Sequence, residues 1–243
     1  MEQILGKGSY PGRIVGVGCT KSGKPLAIYA VTGRSEMSKL RKAAIIGNNV
    51  QIAPLGKLTP EQEANKDLII YRAMSINISD QTLVVSNGKQ TDPIFNLVCN
   101  YGLSLYDSTF SAMYTMGYEP DKLKTPRLLG LILPKPNVRR LLSMVVADNT
   151  QPEGKRADVA LLDPGSPGQV EFICTYKGEP ENPESPILDW HKNWIYTTKI
   201  QSDSAKDIAQ EIYDALDEKY RVSTIAAVLE DDGWLIEVCN LYT

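Results

Sequence analysis

The sequence predicts an α+β fold, on three observations. Apolar runs of strand length recur in pairs across brief Gly-, Pro- or Asp-containing turns, which predicts antiparallel hairpins. A few longer stretches instead carry apolar residues at helical spacing. The order is strands, two helices, strands, one helix, strands, and a meander-rich arrangement with helices covering stacked sheets fits that order. At 243 residues the chain can bury a substantial core. No linker cleanly divides it, so residues 1–243 are expected to form a single domain.

The elements follow in order. "GRIVGVG" (12–18) and "LAIYAVTG" (26–33) flank a turn containing Gly23 and Pro25. "RKAAIIG" (41–47) with "NNVQIAP" (48–54), and "DLIIYRAMSI" (67–76) with "QTLVVSNG" (81–88), predict two more hairpins. "TDPIFNLVCNYGL" (91–103) places Ile94, Leu97, Val98 and Tyr101 on one helical face, with Pro93 suited to a first turn. A second helix over 103–117 ends at Gly117. Strands are predicted at 126–134, 139–148, 169–178 and 193–201, with exposed Pro- and Gly-rich loops at 149–168 and 178–189. The clearest helix spans 203–220, with Ile208, Ile212 and Leu216 four residues apart behind a Ser/Asp start. Strands 223–231 and 233–242 close the chain as a hairpin turned at Asp232-Gly233.

Composition excludes several classes. A net charge of -3 argues against general affinity for nucleic acid or anionic membrane, although a local basic pocket is compatible with it. Cys19, Cys99, Cys174 and Cys239 form no CxxC pair, and the single histidine, His191, completes no zinc spacing, so no metal site is expected. The cysteines are expected to be reduced and mostly in the core. With no signal-peptide run and no membrane-length apolar segment, a cytoplasmic protein is expected. The chain lacks GxSxG, GxGxxG and GxxxxGK[ST], and one histidine does not favour a Ser-His-Asp triad.

Four clusters carry candidate chemistry. "SYPGR" (9–13) sets Arg13 at a strand start behind Gly12, which allows close backbone approach to a ligand. "TGRSEMSKLRK" (32–42) gathers Arg34, Ser35, Lys39, Arg41 and Lys42, either a phosphate-binding loop or a solvated basic one. "SNGKQTD" (86–92) joins a strand to a helix through Ser86, Asn87, Gly88 and Asp92, either as a turn with an N-cap or as a ligand site at a strand end. "GYEPDKLKTPR" (117–127) holds Glu119 and Arg127, with Glu119 either an acid/base or a solvated carboxylate. Tyr71 lies in an apolar strand, as a core residue or with its hydroxyl facing a pocket.

Together, "YPGR", "GRSE", "VVSNGKQTDPI" and "YEPDKLKTPR" resemble the archaeal-type IMP cyclohydrolase family, over about residues 9–133. Against the family pattern GRSxNSRNR, "GRSEMSKLR" matches at Arg34, Ser35, Ser38 and Arg41 and departs at Met37, Lys39 and Leu40. The resemblance implies a four-layer αββα sandwich like that of N-terminal nucleophile hydrolases. It also implies closure of the purine ring of 5-formamidoimidazole-4-carboxamide ribotide (FAICAR) to IMP with loss of water. That reaction joins two groups already on the substrate, so no cofactor is expected, and the partner is the nucleotide itself. Under this reading Tyr71 and Glu119 are the proton-transfer pair. Arg13, Arg34 and Arg41, with Ser35, hold the phosphate or ribose. Ser86, Asn87 and Gly88 meet the imidazole carboxamide, with Asp92 orienting them, and Arg127 pins Glu119 or substrate. Two alternatives are a non-catalytic sensor of a purine ribotide and an amidohydrolase of the same fold. The latter needs a terminal Ser, Thr or Cys, where this chain has Met1-Glu2. Exposed sheet edges lead to the expectation of a homo-oligomer.

Overall fold

A computed structural model describes residues 5–60, 63, 66–189 and 191–242. Met1 and Glu2, on which the terminal-nucleophile expectation rests, lie outside them. β1 (Arg13–Cys19) and β2 (Pro25–Thr32) form the first hairpin, with Ile14 opposite Ala30 and Val17 opposite Ala27. The short helix α1 (Glu36–Lys39) follows, capped by Ser35, whose hydroxyl accepts from the Ser38 backbone N–H. β3 (Arg41–Ile46) and β4 (Asn49–Pro54) make the second hairpin. A helical turn, α2 (Lys66–Ile69), precedes the third, β5 (Tyr71–Ile76) with β6 (Leu83–Ser86). α3 (Thr91–Phe95) runs into a π-helical turn at Asn96–Asn100, and α4 (Leu105–Met116) begins at an N-cap, Ser104. Then come β7 (Arg127–Leu133), β8 (Arg139–Ala147), β9 (Lys155–Leu162), β10 (Gln169–Cys174) and β11 (Tyr196–Lys199). α5 (Ala205–Ala215), β12 (Arg221–Glu230) and β13 (Gly233–Asn240) end the chain.

These strands build two antiparallel sheets, ordered β11-β10-β1-β2-β12-β13 and β3-β4-β5-β6-β7-β8-β9. The sheets pack face to face. Val15, Val17, Ala27, Tyr29 and Val31 of one meet Val50, Ile52, Ala73, Val85 and Leu142 of the other in a fully or nearly fully buried core. Alternate residues of the first sheet, Ile14, Leu26, Ile28 and Phe172, pack instead against Ile208, Ala209 and Ile212 of α5. Alternate residues of the second, Val84, Leu129, Leu131 and Val145, pack against Ile94 of α3 and Met113 of α4. Both sheets are thus covered on two faces, which is why β1, β2 and β7 read as continuous apolar runs rather than as polar alternation. The result is an α+β architecture layered helix, sheet, sheet, helix. No helix among the described residues is long and apolar enough to cross a membrane.

Several expectations need correction. The predicted loop 149–168 contains β9, an edge strand with polar Lys155, Arg156 and Asp158 that hide its apolar pattern. The first residues of the predicted strand 67–76 are helical, and the strand starts at Tyr71. The helix expected over 91–103 ends at Asn100 after switching to π geometry. The last hairpin turns on Asp231-Asp232, one residue earlier than predicted, because Glu230 pairs with Gly233. The loop at 178–189 is not wholly exposed, since Leu188 enters the inter-sheet core with Trp194. All four cysteines are free; Cys19 and Cys174 are buried, Cys99 and Cys239 half-buried.

Because Ile208 is fully buried against Leu26, Ile28 and Phe172, Ile208→Ala should leave a cavity beneath α5. We expect a loss of about 2–5 kcal/mol in chemical denaturation, with substrate affinity of the remaining folded protein unchanged.

Candidate active site

Antiparallel order brings the starts of some strands and the ends of others to one rim of the sandwich. Arg13 opens β1, Arg41 opens β3, Tyr71 opens β5 and Arg127 opens β7, while Ser86 closes β6 and Tyr176 follows the end of β10. The register confirms a shared rim, with Ile14 opposite Cys174, Arg41 opposite Pro54 and Ile52 opposite Tyr71. A cavity of about 400 Å³ opens here. Its lining includes Arg13, Arg34, Ser35, Ser38 and Arg41 on one side, and Asp121, Thr125 and Tyr176 on another. The expected basic pocket is therefore present.

Each of these groups is held by local bonds. Arg41 Nε donates to the Ser38 carbonyl at 2.9 Å. Arg34 Nη1 donates to the Pro180 carbonyl at 2.5 Å, and its guanidinium lies 5.0 Å from the centre of the Tyr10 ring. Tyr10 stacks on Tyr176, and the Tyr176 hydroxyl meets Thr125 Oγ1 at 2.6 Å. Thr125 also fixes Asp121, through its backbone N–H to Oδ1 at 2.8 Å and its hydroxyl to Oδ2 at 2.5 Å. Gly12 serves packing rather than ligand approach. Its φ is +70°, and a Cβ there would lie 2.1 Å from Thr175 Oγ1 and 2.7 Å from the Tyr176 ring.

Beneath the cavity floor lies a buried polar cluster. Glu119 is 2 % exposed and accepts from Arg13 Nη2 at 2.7 Å, with Arg127 Nη1 at 4.0 Å on its other oxygen. Burial pushes the Glu119 carboxyl above the usual glutamate range, and the two arginines pull it only partway back. Burial opposes the charge on Arg13, but Glu119, Tyr71, Tyr29 and Tyr176 outweigh it and bind the Arg13 proton more tightly than usual. Arg127 is shifted the other way, downward, by burial. Tyr71, 4 % exposed, shares a 2.7 Å hydrogen bond with the hydroxyl of Tyr29, which is fully buried. Tyr71 also lines a neighbouring hollow of about 320 Å³, together with Arg72, Lys89 and Asp92. A buried carboxyl, two guanidinium groups and a phenol pair can accept, donate and stabilise charge without any nucleophile.

The "SNGKQTD" stretch proves to be a scaffold for this cluster. Asn87 Oδ1 accepts from the Leu128 backbone N–H at 2.7 Å and from Gln90 Nε2 at 2.8 Å, and its Nδ2 donates to the Pro126 carbonyl at 2.8 Å. Ser86 Oγ bonds the Gly88 carbonyl and Thr91 Oγ1. The side chains of Ser86 and Asn87 are therefore engaged within the protein, where a turn with a network of internal bonds accounts for them. Gly88 is required by crowding. A Cβ there would sit 2.8 Å from Gln90 Oε1, 2.9 Å from Arg127 Nη1 and 3.3 Å from Glu119 Oε1. Asp92 does not orient this turn; it is half-exposed and pairs with Arg72 at 2.9 Å. Gln90 and Tyr29 escaped the sequence reading. Gln90 holds Arg127 Nη1 at 3.1 Å, but a lone glutamine at a helix start signals nothing by itself. Tyr29 looks like any aromatic residue in a buried strand.

The chain matches the family described as "IMP cyclohydrolase-like protein" over residues 10–233. It is 29 % identical to the "IMP cyclohydrolase" of Methanothrix thermoacetophila over 232 residues, 95 % of this chain and 98 % of that protein. It is 30 % identical to the protein of the same name from Methanocaldococcus jannaschii over 224 residues, 92 % and 96 % of the two chains. The like-named protein of Methanococcus aeolicus is 34 % identical over 168 residues, 69 % of this chain and 74 % of that one. Motifs, buried acid/base cluster and near full-length similarity lead to one conclusion: this chain belongs to the IMP cyclohydrolase-like protein family.

Proposed function

We propose that the protein is an IMP cyclohydrolase, closing FAICAR to IMP with release of water. The observation that carries this reading is the buried Glu119 carboxylate held between Arg13 and Arg127, with Arg13 also lining an arginine-rich cavity, in a chain of this family. The layering of two sheets between helices supports the N-terminal nucleophile hydrolase-like fold, and the inter-sheet core, drawn from both halves of the chain, supports a single domain.

In this reading the carboxamide nitrogen attacks the formyl carbon of the same molecule. A tetrahedral carbinolamine forms, then loses water. Arg34 and Arg41, with the capped turn at Ser35, bind the 5'-phosphate. Arg13 is closer to the chemistry than a phosphate ligand, because its Nη2 is committed to Glu119. Gly88 lets Arg127 and Glu119 approach the backbone, and the rigid turn around it keeps the substrate arms in attacking geometry. Glu119 takes the proton from the attacking nitrogen. Tyr71 gives its proton to the formyl oxygen as charge develops there; Glu119 then returns its proton to the departing hydroxyl while the Tyr71 phenolate takes the proton of the formamido nitrogen, so both residues regain their starting states.

Absorbance of FAICAR with purified protein, without metal, ATP or folate, tests the reading directly. Growth of the IMP spectrum in proportion to enzyme is the expected result. Bound substrate with no spectral change would instead establish a ribotide sensor. Tyr71→Phe and Glu119→Gln should each lower kcat by about 100-fold or more with little change in KM; wild-type kcat in both would remove them from the mechanism. The raised Glu119 carboxyl picks up its proton sooner than an ordinary glutamate as pH falls. The acid limb of kcat/KM should therefore lie above about 4.3, the unperturbed value, and should be missing from the residual activity of Glu119→Gln. Gly88→Ala should displace Arg127, reducing kcat at least about tenfold and stability by about 1–3 kcal/mol, measured by steady-state kinetics and denaturation.

A further inference from the structure

We infer that Tyr29 is a positioning residue for this reaction, acting through Tyr71; the inference rests on the cyclohydrolase reading. Tyr29 lies in the middle of β2, with its ring in the inter-sheet core beside Val15 and Val31. Its hydroxyl reaches across the sandwich to Tyr71 at the start of β5, at 2.7 Å. A fully buried phenol at that depth, with no solvent to share its proton, satisfies its O–H only by donating it. Tyr71 is assigned as the acceptor because the Tyr29 hydroxyl has no other hydrogen-bond partner among the described residues, whereas Tyr71 sits at the strand start on the rim and keeps slight exposure.

Direction matters here. If Tyr29 donates to Tyr71 Oη, the Tyr71 proton is turned away from Tyr29 and toward the ligand. The same bond stabilises Tyr71 Oη once that proton has been given up, because a donor already points at it. The charged and titratable groups facing the pair are Arg13 from β1, Arg41 from β3 and, through Arg13, Glu119 from the loop after α4. Both arginines favour negative charge on the Tyr29 side of the pair. Tyr29 itself stays neutral, since burial and the neighbouring Tyr71 hold its proton well above the usual tyrosine range. The role is therefore divided. Tyr71 exchanges the proton with substrate, and Tyr29 fixes which way that proton points.

Tyr29→Phe removes one oxygen and keeps the ring that fills the core. We expect kcat to fall by about 10- to 100-fold and KM to change by less than about twofold. In a Tyr71→Phe background, Tyr29→Phe should cost nothing further, because it acts only through the missing hydroxyl. Site-specific 3-fluorotyrosine at position 29, which keeps the donor and nearly the same shape, should retain kcat within a few-fold of wild type, as a merely deleted hydroxyl does not. Wild-type kcat in Tyr29→Phe, or an equal further loss when it is added to Tyr71→Phe, would overturn the inference and leave the cyclohydrolase reading intact. Absence of FAICAR turnover by the wild-type protein would overturn both.

Discussion

A carboxylate taken out of water must be neutralised or paired, and in this molecule Glu119 imposes that condition on everything around it. Its partners come from separate parts of the chain: Arg13 from β1 and Arg127 from β7. Arg127 in turn is held by Gln90, Gln90 by Asn87 and by the Leu128 carbonyl, and Asn87 by the backbone on both sides of Arg127. A side chain at residue 88 would have to displace the Gln90 amide and the Arg127 guanidinium and crowd the Glu119 carboxylate. The turn, the glycine and the amide network all follow from burying one charge with its counter-charges.

The antiparallel sandwich is what makes such a cluster possible. Residues as distant in sequence as Arg13, Tyr71 and Arg127 meet because each occupies a strand start on the same rim. The helices contribute stability at a distance, sealing the outer sheet faces through Ile208, Ile212, Ile94 and Met113. The apolar layer between the sheets excludes water beneath the site. That exclusion raises the Glu119 carboxyl and the Tyr29 phenol and strengthens the fields of the arginines.

Much of this was legible in the sequence. Hairpins with short turns announced antiparallel pairing, and all three N-terminal pairs form as expected. Arg13, Arg34, Ser35 and Arg41, which the sequence places at or near two strand starts, line one cavity. Strand β9 was hidden because an edge strand with one exposed face carries lysine and arginine where a central strand carries valine. The partners of Ser86, Asn87 and Asp92 were not legible, for a common reason. Small polar residues between a strand and a helix serve a turn or a ligand equally well, and only their partners decide. Tyr29 and Gln90 left no trace, because their importance lies in a contact across the sandwich that no local pattern encodes.

The pairing of Arg13 with Glu119 and that of Tyr29 with Tyr71 have one more consequence. Arg13 and Tyr29 belong to one sheet; Arg127 and Tyr71 belong to the other. Sliding either sheet by a single residue moves its groups by about 3.3 Å, more than a hydrogen bond tolerates. The buried cluster therefore works as an alignment key between two slabs that apolar packing alone would seat in several neighbouring positions. Reactivity in this architecture is not a patch laid on a finished scaffold; it comes into being at the moment the two slabs lock.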